Sequence, residues 1–126
     1  MKKLILVLAA ALPFLFTGCK ETKALDGEWK TVSLVQDGET HTNDEAFIGF
    51  ENEMGELKVY GNSGVNLFNG TIKLKNGTVK TDGFASTRMM GPEPEMTFED
   101  KFLEILSYAD SYELNDNILV IIWRKK

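Results

Sequence analysis

The chain has 126 residues and a formal net charge of −5 at pH 7, with 19 acidic residues against 14 basic ones. An acidic protein repels phosphate backbones, so the charge argues against nucleic-acid binding. The length suffices for one domain with one hydrophobic core, and not for two. With one cysteine and one histidine, the chain has too few ligands for a common zinc site, and we expect no metal and no cofactor.

The first 18 residues are predicted to be a secretory signal peptide that is removed after export. Lys2 and Lys3 precede an apolar run over residues 4–16, which is shorter than the ~20 residues that span a membrane. The sequence "LFTGC" then resembles a bacterial lipobox, in which a small residue precedes the cysteine that becomes the new N-terminus. Phe16 stands where these boxes usually have leucine. The alternative is an ordinary signal peptide followed by an incidental cysteine.

Cys19 is predicted to be the lipid-anchored N-terminus of the exported protein. As the only cysteine in the chain, it cannot form an internal disulfide, and lipid attachment accounts for it. Each buried CH₂ contributes about 0.8 kcal/mol, so two or three acyl chains hold a protein firmly in a membrane. Removal of residues 1–18 takes away two of the 14 basic residues and none of the 19 acidic ones, so the net charge becomes −7.

Residues 19–24 are polar and are predicted to form a short tether to the membrane. Lys20, instead of aspartate, follows the cysteine, which by resemblance to enterobacterial sorting rules favours the outer membrane. We therefore expect a monomeric protein that is anchored in the outer membrane of a Gram-negative bacterium. Its domain would face either the periplasm or the cell surface.

Residues 25–126 are predicted to form one mostly β (α+β) domain, a compact antiparallel sheet or partial barrel with one helix packed on it. Strands alternating with helices are absent from the pattern, so a parallel sheet is not expected. Asn76-Gly77 lies between two alternating runs and fits a type I′ hairpin turn. The expected β segments are residues 25–35, 46–51, 56–61, the hairpin 71–81 and a final hairpin at 111–123.

The predicted helix covers about residues 96–109. Apolar residues recur there at helical spacing and define one buried stripe: Phe98, Phe102, Ile105 and Ala109, with Leu106 beside it. The helix start has two interpretations. Thr97 with Asp100 resembles a capping box, whereas Pro94 could occupy the first helical position.

The chain offers little that points to catalysis. His41 lies in a polar loop and is expected to be solvated. "GNSGV" is not a nucleophile elbow, because Val65 stands where that motif needs glycine. Acidic residues cluster at the helix start, where the helix dipole alone favours them. We expect no catalytic residue, and an undetected hydrolase is the third alternative for the function.

The segment "GNSGVNLFNG" (61–70) is followed about twenty residues later by "ASTRMMGPEPEM" and then by the apolar helix. This combination resembles the META-domain (HslJ-like) family of bacterial envelope lipoproteins, whose members carry "GNSGCNxFxG" and "ASTRMxC" segments. The resemblance covers most of the chain after the tether. It implies a compact, mostly antiparallel β domain with one helix, a role in envelope stress or antibiotic tolerance, and no established enzymatic activity.

The residues that match the two family segments have a structural and a functional interpretation. In the structural one, glycines allow a bend, asparagine side chains cap loop backbone groups, and the arginine binds carbonyls or a carboxylate. In the alternative, both segments form a polar recognition site of an inhibitor or ligand-binding module, and the partner is an envelope protein or a small ligand. The matching residues are Gly61, Asn62, Ser63, Gly64, Asn66 and Arg88.

The family's two cysteines correspond to Val65 and Gly91 in this chain. Because both are absent together, the resemblance suggests that the two positions touch in the fold. We therefore expect the "GNSGVN" loop to lie against the "TRMMG" segment, with Val65 buried beside Gly91. Any thiol-based function of relatives is excluded here.

Overall fold

The computed structural model describes residues 2–8, 25–36, 38–54, 56–115 and 118–124. The predicted anchor Cys19 and the tether 19–24 lie outside the described residues. Among the helices that are described, none combines the length and the apolar character needed to cross a membrane. The elements are β1 (Lys2–Leu8), β2 (Gly27–Gln36), β3 (Glu39–His41), β4 (Phe47–Glu53), β5 (Glu56–Asn62), β6 (Leu67–Lys75), β7 (Thr78–Ser86), α1 (Glu93–Ser107), β8 (Ala109–Asn115) and β9 (Ile118–Trp123).

Strands β2 to β9 form an antiparallel half-barrel with α1 packed on its inner side. The strand order is β1-β9-β8-β7-β6-β5-β4-β2-β3, and β1 also pairs with β2. The predicted mostly β domain with one helix is therefore confirmed. As expected, the sheet is not a parallel one, although β1 runs parallel to both β2 and β9. The physical reason is that β1 lies between two strand edges whose backbone groups need partners.

The hairpin between β6 and β7 has the predicted turn and register. Asn76 and Gly77 both adopt positive φ, 50° and 82°, as a type I′ turn requires. Leu74 faces Val79 across the two strands, and both side chains pack against the core. The lysines on the opposite face are exposed, as predicted: Lys73, Lys75 and Lys80.

Helix α1 begins earlier and ends earlier than the sequence pattern predicted. Pro92 is the N-cap residue and no side chain caps the helix, so the capping box at Thr97 is not formed. Pro94 lies in the first turn, where its missing N–H leaves no hydrogen bond unmade. The helix stops at Ser107, and Ala109 begins β8 instead of extending the helical stripe.

The helix closes the core with the predicted aromatic and aliphatic stripe. Phe102 is fully buried and meets Phe68 of β6 edge-on, with ring centroids 5.6 Å apart. Burial of a large apolar side chain contributes about 1.5–3 kcal/mol, so this contact ties the helix to the sheet. One polar residue shares the buried face. Glu99 is only 3% exposed, and it determines the geometry of the candidate site.

Candidate functional site

The carboxylate of Glu99 is surrounded by hydrogen-bond donors from the loop between β5 and β6. Oε1 accepts from Ser63 Oγ at 2.7 Å, from Val65 N at 3.1 Å and from Asn66 N at 2.6 Å. Oε2 accepts from Asn66 Nδ2 at 2.7 Å. The loop also closes on itself, because Ser63 N donates to the carbonyl oxygen of Asn66 at 2.9 Å. The first family segment is thus bound to helix α1 through one buried carboxylate.

The side chain of Asn66 extends this network to the second family segment. Its Oδ1 accepts from Met89 N at 2.6 Å and from Thr87 Oγ1 at 2.8 Å. Its Nδ2 donates to the carbonyl oxygen of Met89 at 3.1 Å and to Glu99. The amide therefore uses its full hydrogen-bonding capacity. We refer to the residues of this network as the Glu99 clamp: Ser63, Val65, Asn66, Thr87, Met89 and Glu99.

The other positions of the first segment that match the family pattern shape the loop that the clamp holds. A Cβ at Gly61 would lie 2.1 Å from the carbonyl oxygen of Phe47, so only glycine lets the two strands approach. Gly64 has φ +130°, a conformation that other residues rarely adopt. Asn62 Oδ1 accepts from Gly64 N at 2.7 Å and fixes the bend between them. These contacts support the structural interpretation of the loop.

The clamp lowers the pKa of Glu99 below its ordinary value. Burial by itself raises the pKa of this carboxyl group, because it penalises the charged form. The hydrogen bonds from Ser63, Asn66 and Val65 stabilise the charged form and outweigh that effect. Glu99 is consequently an ionised, hydrogen-bonded group at neutral pH.

Val65 and Gly91 are neighbours, as the family resemblance implied. A Cβ built on Gly91 would lie 3.5 Å from the Cβ of Val65 and 2.7 Å from its Cγ2. The first distance falls in the range found in disulfides, about 3.5–4.5 Å. The expectation that Val65 is buried is met only in part, since its side chain is half-buried. The two family segments therefore touch here as well as through Asn66.

Arg88 does not have the buried, bidentate position that a structural role would need. Its side chain is exposed, and it makes no hydrogen bond or ion pair with any described residue. The sequence suggested that Arg88 binds a carboxylate, but the buried carboxylate of Glu99 is bound by Ser63, Val65 and Asn66 instead. The structural interpretation of Arg88 thus receives no support from its exposed position, and the guanidinium is open to solvent.

Large apolar side chains accompany Arg88 at the surface. Met89 is 56% exposed, Met90 is 88% exposed, and Leu67 is 57% exposed. Leu67 lies beside this segment because its carbonyl oxygen accepts from Thr87 N at 3.0 Å. We call Leu67, Arg88, Met89 and Met90 the Arg88 strip. An open groove of about 620 Å³ is lined by Arg88, Met89 and Met90 of the strip, and Glu99, Asp100 and Leu103 of α1 line it as well.

His41 lies apart from this strip and shares an open depression with Glu93 at the start of α1. Its Nε2 is 3.6 Å from Oε2 of Glu39, which is longer than a hydrogen bond. The Glu39 side chain is 74% exposed, whereas the His41 side chain is 26% exposed and its Nε2 is shielded from solvent, with no hydrogen-bond partner among the described residues. The expectation of a solvated histidine therefore holds only in part. The arrangement is a surface contact and lacks an oriented base–carboxylate pair.

The barrel interior has no space for a ligand within the described part of the chain. The cavity between sheet and helix measures about 20 Å³ and is lined by apolar groups. Small-molecule sites usually have about 300–1,000 Å³, and one water needs roughly 10–15 Å³. Over the same described ranges, His, Cys, Asp and Glu side chains form no group of three or more that could hold a metal ion.

Sequence reasoning missed Glu99 as the centre of the clamp, although a signal was present. Residues 99, 102 and 106 follow the three- and four-residue spacing of the buried stripe, so a carboxylate at position 99 faces inward. Buried carboxylates require partners. A loop rich in asparagine, serine and glycine elsewhere in the chain is a suitable donor set.

The comparisons with known proteins support the resemblance. The sequence model of the META domain family matches residues 22–126, which includes every residue of the clamp and of the Arg88 strip. Comparison with curated proteins finds no match. Comparison with solved structures finds none either. Because the family match covers most of the chain, the protein belongs to the META-domain family.

Proposed function

We propose that the protein is a lipid-anchored, non-enzymatic binding domain of the outer membrane. Cys19 carries the lipid, residues 20–24 form the tether, and the Arg88 strip contacts the partner. By holding that partner at the membrane, the domain supports envelope stress tolerance. Glu99 and the Gly-Asn loop contribute by positioning the strip, and do not contact the partner.

The observation that carries this proposal is that the Arg88 strip is exposed while its main chain is held firmly. Asn66 binds both polar main-chain groups of Met89, yet the flanking side chains of Arg88 and Met90 project from the surface. Clustered exposed apolar side chains are typical of interaction sites. Methionine adapts to irregular surfaces, and a main chain fixed in advance reduces the entropy lost on binding.

The chemistry of the strip favours an envelope protein that presents a carboxylate next to apolar side chains. The guanidinium of Arg88 supplies a planar set of donors that matches a carboxylate. Met89, Met90 and Leu67 supply the adjoining apolar surface. The domain is acidic overall, so Arg88 is a local cation that selects where an anionic group can approach.

A small ligand is the second candidate partner. The groove beside the strip, at about 620 Å³, falls within the size range of small-molecule sites. Its wide opening to solvent resembles a protein contact surface more closely than an enclosed ligand pocket. This candidate corresponds to an inhibitor or ligand-binding module.

Photocrosslinking in intact cells tests the proposal. A photoreactive amino acid replaces Met90 in one variant and Met54 in a control. Met54 is fully exposed but lies in the β4–β5 turn, away from the strip. We expect a discrete crosslinked protein from position 90 only, with a yield that falls when Arg88→Ala is added. Equal crosslinking from both positions would contradict the proposal, and so would an Arg88→Ala variant with an unchanged yield.

A further inference from the structure

Strand β1 occupies a slot between β2 and β9 and closes the half-barrel. It pairs parallel with β2 from Lys2↔Trp29 to Val7↔Val35. It also pairs parallel with β9 from Lys3↔Ile118 to Leu8↔Trp123. A seven-residue extended segment thus satisfies backbone groups on two strands at once.

The same seven residues lie within the segment that the sequence predicts to be removed on export. Once residues 1–18 are cleaved, β2 and β9 lose the strand between them. A strand on each side of a third strand stands roughly 10 Å from the other, which is too far for direct hydrogen bonding. The processed domain then carries two facing strand edges with unpaired N–H and C=O groups.

The side chains on the inner wall of the slot are strongly apolar. Residues 4, 6 and 8 of β1 stand in register with Leu119, Ile121 and Trp123 of β9. These three residues are 0%, 5% and 3% exposed and belong to the core. Any segment that replaces β1 would have to present apolar side chains at alternate positions to complete this core.

We propose that, in the exported protein, the slot between β2 and β9 binds an extended apolar segment of another envelope polypeptide, in parallel with both strands. The segment spans about seven residues, as β1 does. Main-chain hydrogen bonds to two edges provide affinity, and alternate apolar side chains provide selectivity. The inference rests on the part of the proposed function that has residues 1–18 removed and Cys19 acylated, and it concerns a surface distinct from the Arg88 strip.

The test uses the processed protein extracted from membranes in mild detergent, with the sequence of residues 2–8 as a synthetic peptide probe. Mass spectrometry first establishes whether residues 1–18 are gone and Cys19 carries lipid. In two variants a cysteine replaces a β2 residue that lies in register with opposite ends of β1: Lys30→Cys and Val35→Cys. A peptide in which cysteine replaces Lys3 is added, and disulfide formation in air is measured. The acylated Cys19 leaves no other thiol.

Parallel binding predicts crosslinking to Lys30→Cys and little to Val35→Cys, whereas antiparallel binding predicts the reverse. Because both cysteines lie on the same strand, peptide that merely enters the detergent crosslinks both alike. A probe with proline in place of Ile5 lacks one N–H and should bind about tenfold more weakly or worse.

Two results would overturn the inference, and they are distinguishable. If processed protein crosslinks neither cysteine, both equally, or mainly Val35→Cys, the slot does not accept a parallel strand as proposed, while the anchor is unaffected. If mass spectrometry finds residues 1–18 retained, β1 is a permanent strand and the slot is never free. That second result also removes Cys19 as the anchor of the proposed function.

Discussion

The side chain of Asn66 binds both polar main-chain groups of Met89: its Oδ1 accepts from Met89 N at 2.6 Å, and its Nδ2 donates to Met89 O at 3.1 Å. The Met89 side chain is nevertheless 56% exposed. Main chain and side chain at this position consequently serve different purposes. The main chain is part of the Glu99 clamp, and the side chain is part of the Arg88 strip.

Asn66→Asp should destabilise the fold although it preserves the shape of the side chain. It removes the N–H donors to Met89 and Glu99 and sets a second carboxylate beside Glu99. Leaving buried groups without partners costs about 1–3 kcal/mol, so the free energy of unfolding should fall by at least that amount in urea titrations. Asn69→Asp is the matched control, because Asn69 is exposed on β6. Similar losses in both variants would argue against the clamp.

Glu99→Gln should lower stability at neutral pH and remove an acid-sensitive contribution. The folded-state pKa of Glu99 is lowered, whereas the unfolded value is about 4.3. The stabilisation is therefore fully present above the unfolded pKa and is lost as pH falls through the folded pKa. We expect Glu99→Gln to cost about 1–3 kcal/mol at pH 7.

The measurement for Glu99 is the free energy of unfolding of wild type and variant from pH 7 to pH 3. The difference in the free energy of unfolding between wild type and Glu99→Gln should become smaller as the pH falls. Asp100→Asn, on the exposed side of the same helix, should show no comparable narrowing. If this difference in the free energy of unfolding stays constant with pH, the clamp does not stabilise the ionised form of Glu99.

Val65→Cys/Gly91→Cys should form a disulfide spontaneously. The Val65→Cys change removes the γ-methyl group that would otherwise lie 2.7 Å from a new Cβ at Gly91. In the chain-entropy model, the closed loop of about 25 residues contributes on the order of 3 kcal/mol. In a Cys19→Ser background, free thiols and Tm are compared with and without reductant. Thiols that remain free in air would show that the two positions are not suitably oriented.

Arg88→Ala should leave stability unchanged. An exposed side chain that contacts no described residue contributes within about 0.5 kcal/mol to the free energy of unfolding. The expected result is a urea midpoint equal to that of wild type, together with the loss of photocrosslinking from position 90. A clear drop in the midpoint would restore the structural interpretation of Arg88.

Cys19→Ser should release the protein from the membrane fraction. Without a thiol at the lipobox, no acyl chain can be attached, and the hydrophobic contribution of the chains is lost. Cell fractionation of wild type and variant measures this directly. A variant that stays in the membrane fraction as wild type does would refute lipid anchoring at this residue.

Local patterns predicted those parts of the fold that local chemistry determines. Asn76-Gly77 specifies its turn because both residues accept positive φ, and the alternation around it fixes the register of Leu74 and Val79. The buried stripe of the helix was predicted from the local spacing of its apolar residues. The ends of the helix were predicted incorrectly, because the prolines at 92 and 94 favour an early start and Ala109 pairs with Trp123 in the sheet.

The candidate site required contacts between residues far apart in sequence. The resemblance to the META family identified the two segments and the proximity of Val65 to Gly91. It gave no indication that Glu99, 33 residues after Asn66, would be the group both segments surround. Arg88 was assigned a structural role because arginine commonly binds carboxylates, but hydroxyl, main-chain and side-chain amide donors satisfy the buried carboxylate.

Amide hydrogen exchange at Val65, Asn66 and Met89 measures directly whether the Gly-Asn loop is a structural clamp that supports an exposed strip. These three N–H groups lie outside helices and strands, yet each donates to a side chain of the clamp. We expect these amides to exchange slowly, with protection approaching that of the strand cores, while the amide of Met90 exchanges fast. Exchange of all four amides at the rate of an exposed loop would show that the loop is not clamped.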